Sequence, residues 1–208
     1  MGCSDLAGTE FNGQVFKKIQ CSGETLDDKE FYECEFNDCV FTETVFKRCR
    51  FVDCTFNGCD LSLAQVPNCM FRDATFEKSK LVGIDWTKAV WGRKQGLLNS
   101  VAFNECTLNY STFIAAPMPN LRMTRCVAHD VDFAEADLTS ADFSGTDLAD
   151  SRFWQTNLTG ADFRGASGYA IAATLNTLKK TKFALPEAIS LLYSLDIVLS
   201  NDEDDPRG

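Results

Sequence analysis

The sequence contains one histidine, His129, so neither a histidine pair nor a multi-histidine metal site can be built from it. No apolar run approaches the roughly 20 residues that a membrane-spanning helix needs. The start, Met1-Gly2-Cys3-Ser4-Asp5, carries no basic and apolar leader. The expectation is a cytoplasmic protein with no membrane association. Basic residues are in deficit: 20 Lys and Arg stand against 30 Asp and Glu, a formal charge of -10. That sign disfavours direct contact with nucleic acid and favours a cationic partner. No glycine-rich phosphate loop joins a strand to a helix. Trp and Tyr are also scarce, at 3 and 4, whereas Phe reaches 17, so one aromatic is used repetitively and a period must be sought.

That period is five. Leu26, Phe31, Phe36, Phe41, Phe46, Phe51, Phe56, Leu61, Val66, Phe71, Phe76, Leu81, Trp86 and Trp91 follow one another at five-residue steps. The phase slips by two residues and resumes at Leu98, Phe103, Leu108, Phe113, Met118 and Met123, continuing to Leu158 and Phe163. Two residues before each large position lies a small one. Eight of the ten cysteines fall in this second column, from Cys34 to Cys126, followed by Ala136, Ala141, Thr146, Ser151, Thr156 and Ala161. Such placement fits thiols used as small hydrophobes better than disulfides or metal ligands.

A helix repeats near 3.6 residues and a strand near 2.0, so a period of five fits neither. It fits a square coil in which each repeat forms one side, with the large and small residues inward. The predicted fold is an all-β solenoid, a right-handed quadrilateral β-helix of about eight coils, roughly 38 Å long at the inter-strand spacing. The repeat domain is expected over residues 1–168, with a short irregular loop at 92–97 that projects Arg93 and Lys94. A second irregularity is expected at Ala115–Asn120, because Pro117 and Pro119 lack the N–H a ladder uses.

Residues 169–200 are expected to form a helical cap and dimerisation segment. A short helix is predicted within 169–180, and a second starts at Leu185-Pro186-Glu187, with proline in the first turn where its missing donor costs nothing. Ala188, Leu191, Leu192 and Leu195 form an apolar stripe at helical spacing. With Ile197 and Leu199 they exceed what an end cap needs, which points to a two-fold contact between two rods. Residues 201–208 read as a disordered acidic tail.

No catalytic constellation emerges, and neither an enzyme, a cofactor nor a metal is expected. The surface remains. Asp130, Asp132, Glu135, Asp137, Asp142, Asp147 and Asp150 occur with no Lys or Arg among them and are expected to form an acidic partner-binding surface. A thin negative rod can enter a positive channel meant for DNA, or it can serve as a scaffold for an unrelated partner.

Ala136-Asp137-Leu138-Thr139-Ser140, Ala141-Asp142-Phe143-Ser144-Gly145 and Ala161-Asp162-Phe163-Arg164-Gly165 match the A(D/N)(L/F)XX motif, and the chain resembles pentapeptide-repeat proteins from about residue 4 to 168. Stretches outside the repeat, among them Gly83-Ile84-Asp85-Trp86-Thr87, Leu108-Asn109-Tyr110-Ser111 and Lys182-Phe183-Ala184-Leu185-Pro186-Glu187-Ala188, are similar to the topoisomerase-protecting group of quinolone-resistance type. The similarity is closest to the albicidin-resistance branch of that group. The resemblance implies a C-terminally joined dimer that occupies the DNA-gate saddle of bacterial DNA gyrase or topoisomerase IV and protects it from a poison. Large projecting loops have no counterpart here, so the resemblance points to an albicidin-like natural product before a quinolone.

Overall fold

The computed structural model describes residues 2–92, 101–195 and 197. Four parallel ladders run along the molecule, one per side, with a register step of 20 residues. On the first side, strands Glu10–Asn12, Glu30–Tyr32, Arg50–Val52 and Met70–Arg72 pair in order. The second side carries six strands, Val15–Lys17, Glu35–Asn37, Thr55–Asn57, Ala74–Glu77, Val101–Asn104 and Arg122–Thr124, which mark five successive turns. Single bridges form the third side, through Gly2, Gln20, Val40, Asp60, Lys80, Thr107, Val127, Asp147 and Ser167. The fourth begins with Thr25–Asp27 and Val45–Lys47 and continues through Gln65, then Asp85, Thr112, Asp132 and Arg152. The fold is a parallel β-solenoid with a short C-terminal helical segment.

Each five-residue unit follows one physical scheme. Its central residue points inward and stacks on its equivalent one turn away. Phe11, Phe31, Phe51 and Phe71 stack with centroids 5.0, 5.1 and 5.2 Å apart, and Phe16, Phe36, Phe56 and Phe76 at 5.0, 4.6 and 4.7 Å. Rings on adjacent sides meet edge to face, as Phe51 and Phe56 do at 5.4 Å, so both preferred aromatic geometries are used.

The small column does more than leave room. Its hydroxyl or thiol donates to the carbonyl of a central residue in the preceding turn: Thr146 Oγ1 to Met123 O at 2.6 Å, Ser151 Oγ to Ala128 O at 2.6 Å, Cys69 Sγ to Phe46 O at 3.0 Å. Cys, Ser and Thr share this geometry, which explains their interchange with Ala. All eight column cysteines are buried free thiols. Burial pushes Cys54 up to about 12; in the stacked pairs the thiols of Cys59, Cys69 and Cys126 donate to Cys39, Cys49 and Cys106, which raises the donors and lowers the acceptors, so protection of the column rests on its burial. In the native protein at pH 8 these eight thiols are expected to resist alkylation, and all eight should label once the chain is denatured; thiol titration reads both numbers.

Two residues past most central positions the backbone turns a corner at positive φ, as at Asp130 (54°), Glu135 (60°) and Asp150 (59°). The left-handed region is costly for most side chains. It persists because the corner N–H bonds to the next turn: Asp130 N to Ala149 O at 3.0 Å, Glu135 N to Trp154 O at 2.7 Å.

Several expectations need correction. Cys3 and Cys21, the two cysteines outside the column, are joined by a disulfide. Gly2 bridges Gln20 and thereby sets the two Cα atoms 4.9 Å apart, within bonding range; the sequence register, phased from Leu6, hid this pairing. Across the slip the register advances by 27 residues instead of 20, as between Ser79 and Cys106, so a whole repeat accompanies the two-residue slip. Arg93 and Lys94 lie outside the described residues. Pro117 leaves the ladder to the following turn intact, since Asp137 N donates to Ala116 O at 3.0 Å and Met118 N to Asp137 O at 2.9 Å.

No helix occupies 169–180. The ladder continues through Thr177 and Lys182, Thr181 Oγ1 donates to Leu158 O at 2.7 Å, and Phe183 stacks on Phe163 at 5.3 Å. The five-residue phase returns at Leu178 and Phe183, after a stretch in which Gly168 is exposed and the buried Tyr169 and Ile171 fill the core out of phase. The terminal helical segment is short, a 3-10 turn at Glu187–Ile189 followed by an α turn at Ser190–Tyr193. Leu191 packs against the core, whereas Leu192, Leu195 and Ile197 are exposed. Leu199 and the tail 201–208 lie outside the described residues.

Candidate protein-binding surface

The seven acids of the 130–150 band serve two structural roles. Asp132, Asp137, Asp142 and Asp147 each sit one residue before an inward side chain. There Oδ1 accepts the N–H two residues on: Ala134 to Asp132 at 2.9 Å, Thr139 to Asp137 at 3.3 Å, Ser144 to Asp142 at 2.9 Å, Ala149 to Asp147 at 3.2 Å. This turn closure is the physical reason for Asp or Asn in the repeat motif. All four are half-buried. By contrast, Asp130, Glu135 and Asp150 occupy left-handed corners and are exposed.

The band is also less purely anionic than its sequence. Stacking brings bases from neighbouring turns against it. Arg152 reaches Asp132 at 3.1 Å, and His129 Nε2 lies 2.7 Å from Asp147 Oδ2. Asn157 Nδ2 donates to Asp137 at 3.1 Å. Among the described residues, Asp130, Glu135 and Asp150 make no ion pair. The geometry further gathers four of the seven acids on the fourth side and its two corners: Asp130 and Asp150 stack at one corner, Asp132 lies on the side itself, and Glu135 holds the opposite corner. Asp137, Asp142 and Asp147 go singly to the first, second and third sides.

A further electrostatic anchor lies just beyond the band. Asp162, whose side chain is 14% exposed, accepts from Arg164 Nη2 at 2.6 Å and from Lys182 Nζ at 3.4 Å. The Arg164 hydrogen bond holds its carboxyl well below the usual range, at about 2. Because the folded value is depressed, the contribution is present above about pH 4 and is lost as pH falls from 4 towards 2. Asp162→Asn is therefore expected to cost about 1 kcal/mol at pH 6, after discounting for the exposed Arg164 head, and nearly nothing at pH 2. Urea unfolding at the two pH values measures the difference.

Composition alone did not flag the apolar groups on the fourth side. Tyr110 is 67% exposed, Leu63 52%, Ile114 41% and Trp154 40%. The available signal was positional: each occupies a slot one or two residues past a central residue, which elsewhere holds polar groups. Among the described residues, no group of three or more His, Cys, Asp or Glu is placed to hold a metal ion, and no helix is long and apolar enough to cross a membrane.

A four-laddered solenoid of five-residue units defines a repeat scaffold. A family profile described as a pentapeptide repeat region matches residues 29–113 and 94–163. The chain belongs to the pentapeptide-repeat family. No curated protein matches it. Among solved structures, full-length QnrB1, described as a plasmid-mediated fluoroquinolone resistance protein, is similar with a TM-score of 0.66 at 18% identity, over 90% of this chain and 100% of that one. A trypsin-treated variant of QnrB1 gives 0.65 at 18% identity, over 92% and 100%. At that identity the likeness establishes the shared fold.

Proposed function

We propose that this protein is a DNA mimic that binds bacterial DNA gyrase or topoisomerase IV and protects it from a poison that traps cleaved DNA. The observation that carries this reading is the set of outward carboxylates held at fixed rise, about 4.8 Å per turn, along a rigid rod. The fold likeness to a fluoroquinolone resistance protein, over 90% of this chain and 100% of that one, supports it. So does the formal charge of -10, which complements a cationic DNA channel and opposes binding to DNA itself. The rod is taken as a right-handed quadrilateral helix of about eight coils, supported by the third-side ladder from Gly2 to Ser167.

Two rods join through their C-terminal segments in this reading. The exposed Leu192, Leu195 and Ile197 supply the apolar contact, with Leu185 and Tyr193 also exposed; Leu191 ties the segment to the core, and Ala188 and Leu199 belong to the proposed contact. The dimer doubles the rod and spans a two-fold symmetric enzyme. The cytoplasm, where that enzyme works, is the site of action. The eight free thiols accord with a reducing compartment, and the Cys3–Cys21 bridge is the exception. An albicidin-like natural product is the favoured poison, on the sequence resemblance alone.

Supercoiling by purified gyrase, titrated with the protein in the presence and absence of albicidin and of a quinolone, tests the reading. Rescue of a poisoned reaction, or dose-dependent inhibition of the unpoisoned one, is expected. No effect in any condition by a folded dimer would instead support a binding scaffold with an unrelated cytoplasmic partner.

A further inference from the structure

We infer that the rod has a working face: the fourth side, bounded by the Leu63–Asp150 corner and by Glu135, is the surface that docks on the protein partner, and Tyr110 and Trp154 are its anchors. The inference rests on the proposed topoisomerase reading and narrows it from an encircling acidic band to one side.

Three independent features of the molecule converge there. The first is apolar exposure. Leu63, Gly83, Tyr110, Asp130 and Asp150 share one corner, all at positive φ between 54° and 70°. A hollow of about 400 Å³ opens on this side, lined by Leu63, Val66, Pro67, Gly83 and Asp85. Gly83 sits close under Leu63, since a Cβ there would meet Leu63 Cδ2 at 2.8 Å. Further along the side, Ile114 and Trp154 occupy matching outward slots on either side of Ala134. Ala134 is only 3% exposed in a slot that normally faces water.

The second feature is charge. The cations placed on this side are already paired within it: Lys47 and Arg48 with Asp27 at 3.4 and 2.7 Å, Lys88 with Asp85 at 3.6 Å and Arg152 with Asp132 at 3.1 Å. Asp130, Glu135 and Asp150 therefore present uncompensated carboxylates at its two edges. The third is their arrangement. An apolar centre with Tyr and Trp, rimmed by exposed acids, has the anatomy of a protein interface, in which buried aromatics carry most of the energy and the charged rim steers approach. The partner surface that fits is basic, with a protruding apolar or aromatic side chain that enters the hollow beside Gly83. Duplex DNA is excluded as the occupant by the sign of the rim.

Binding of immobilised gyrase to the full-length protein tests the inference, comparing wild type with Trp154→Ala, Tyr110→Ala and, on a corner between the first and second sides, Asp53→Asn. Thermal unfolding confirms that each variant is folded; Tyr110, being two-thirds exposed, remains usable if Trp154→Ala uncovers Ala134 and destabilises the coil. The expected result is a loss of affinity of about tenfold or more for either aromatic variant and a change of less than about twofold for Asp53→Asn. Wild-type binding with aromatic variants that bind equally well would overturn the working face while leaving the topoisomerase reading in place. Absence of wild-type binding would overturn both.

Discussion

Phe51→Ala is expected to destabilise the protein by about 3–5 kcal/mol and to lower its thermal midpoint by about 10 °C. The ring is 1% exposed. It stacks between Phe31 and Phe71 at 5.1 and 5.2 Å and meets Phe46 and Phe56 edge to face at 5.6 and 5.4 Å. Removing it empties one cell of a column whose neighbours are fixed by the ladders on all four sides, so little collapse can fill the space. In a solenoid each turn is stabilised chiefly by the next, and a cavity in the middle also weakens the coupling between the two halves. Phe51→Leu should cost about 1.5 kcal/mol or less, because Leu26, Leu61 and Leu81 already occupy equivalent central slots. Equal losses for the two variants would show that the stacked ring contributes nothing beyond its branch point.

Reversing the three uncompensated corner acids, as Asp130→Lys, Glu135→Lys and Asp150→Lys together, is expected to weaken inhibition of gyrase by about a hundredfold without lowering stability. The backbone tolerates the change: Lys18, Lys78 and Lys180 already adopt the same left-handed corner conformation, with φ of 54°, 49° and 58°. The carboxylates removed close no turn, unlike Asp132, Asp137, Asp142 and Asp147, where substitution would lose a backbone hydrogen bond as well as a charge. The two sets thus separate the electrostatic role from the structural one. Circular dichroism and the supercoiling assay on the triple variant would read them independently; full inhibition by a folded triple variant would remove the corner acids from the interface.

Much of the fold was legible because the repeat encodes it directly. The inward column from Leu26 to Phe163 could be read off as a period, and stacking of Cys39 with Cys59 and of Cys49 with Cys69 followed from a 20-residue turn. Where the period was masked, legibility failed for identifiable reasons. After Phe163 the inward residues Tyr169 and Ile171 fall out of the five-residue phase, so 169–180 reads as helix although the ladder continues through Thr177. Cys3 lies 18 residues before Cys21 rather than 20, so its pairing fell outside the register.

The surface was harder to read. Sequence proximity grouped seven acids into one band, but neighbours along the chain lie on different sides of a coil and neighbours in space lie about a turn apart. Only the ladders reveal that Arg152 answers Asp132, or that Asp130 and Asp150 share a corner with Tyr110. The aromatic groups of the fourth side are hidden for a related reason: the outward slots of Tyr110 and Trp154 become visible only once the inward ones are assigned.

The most direct measurement is competition between this protein and a labelled linear duplex for the DNA gate of gyrase, with the duplex concentration varied. The account predicts mutually exclusive binding, the apparent affinity for the protein falling in proportion to the duplex added. A ternary complex, in which protein and duplex bind together with unchanged affinities, would contradict it.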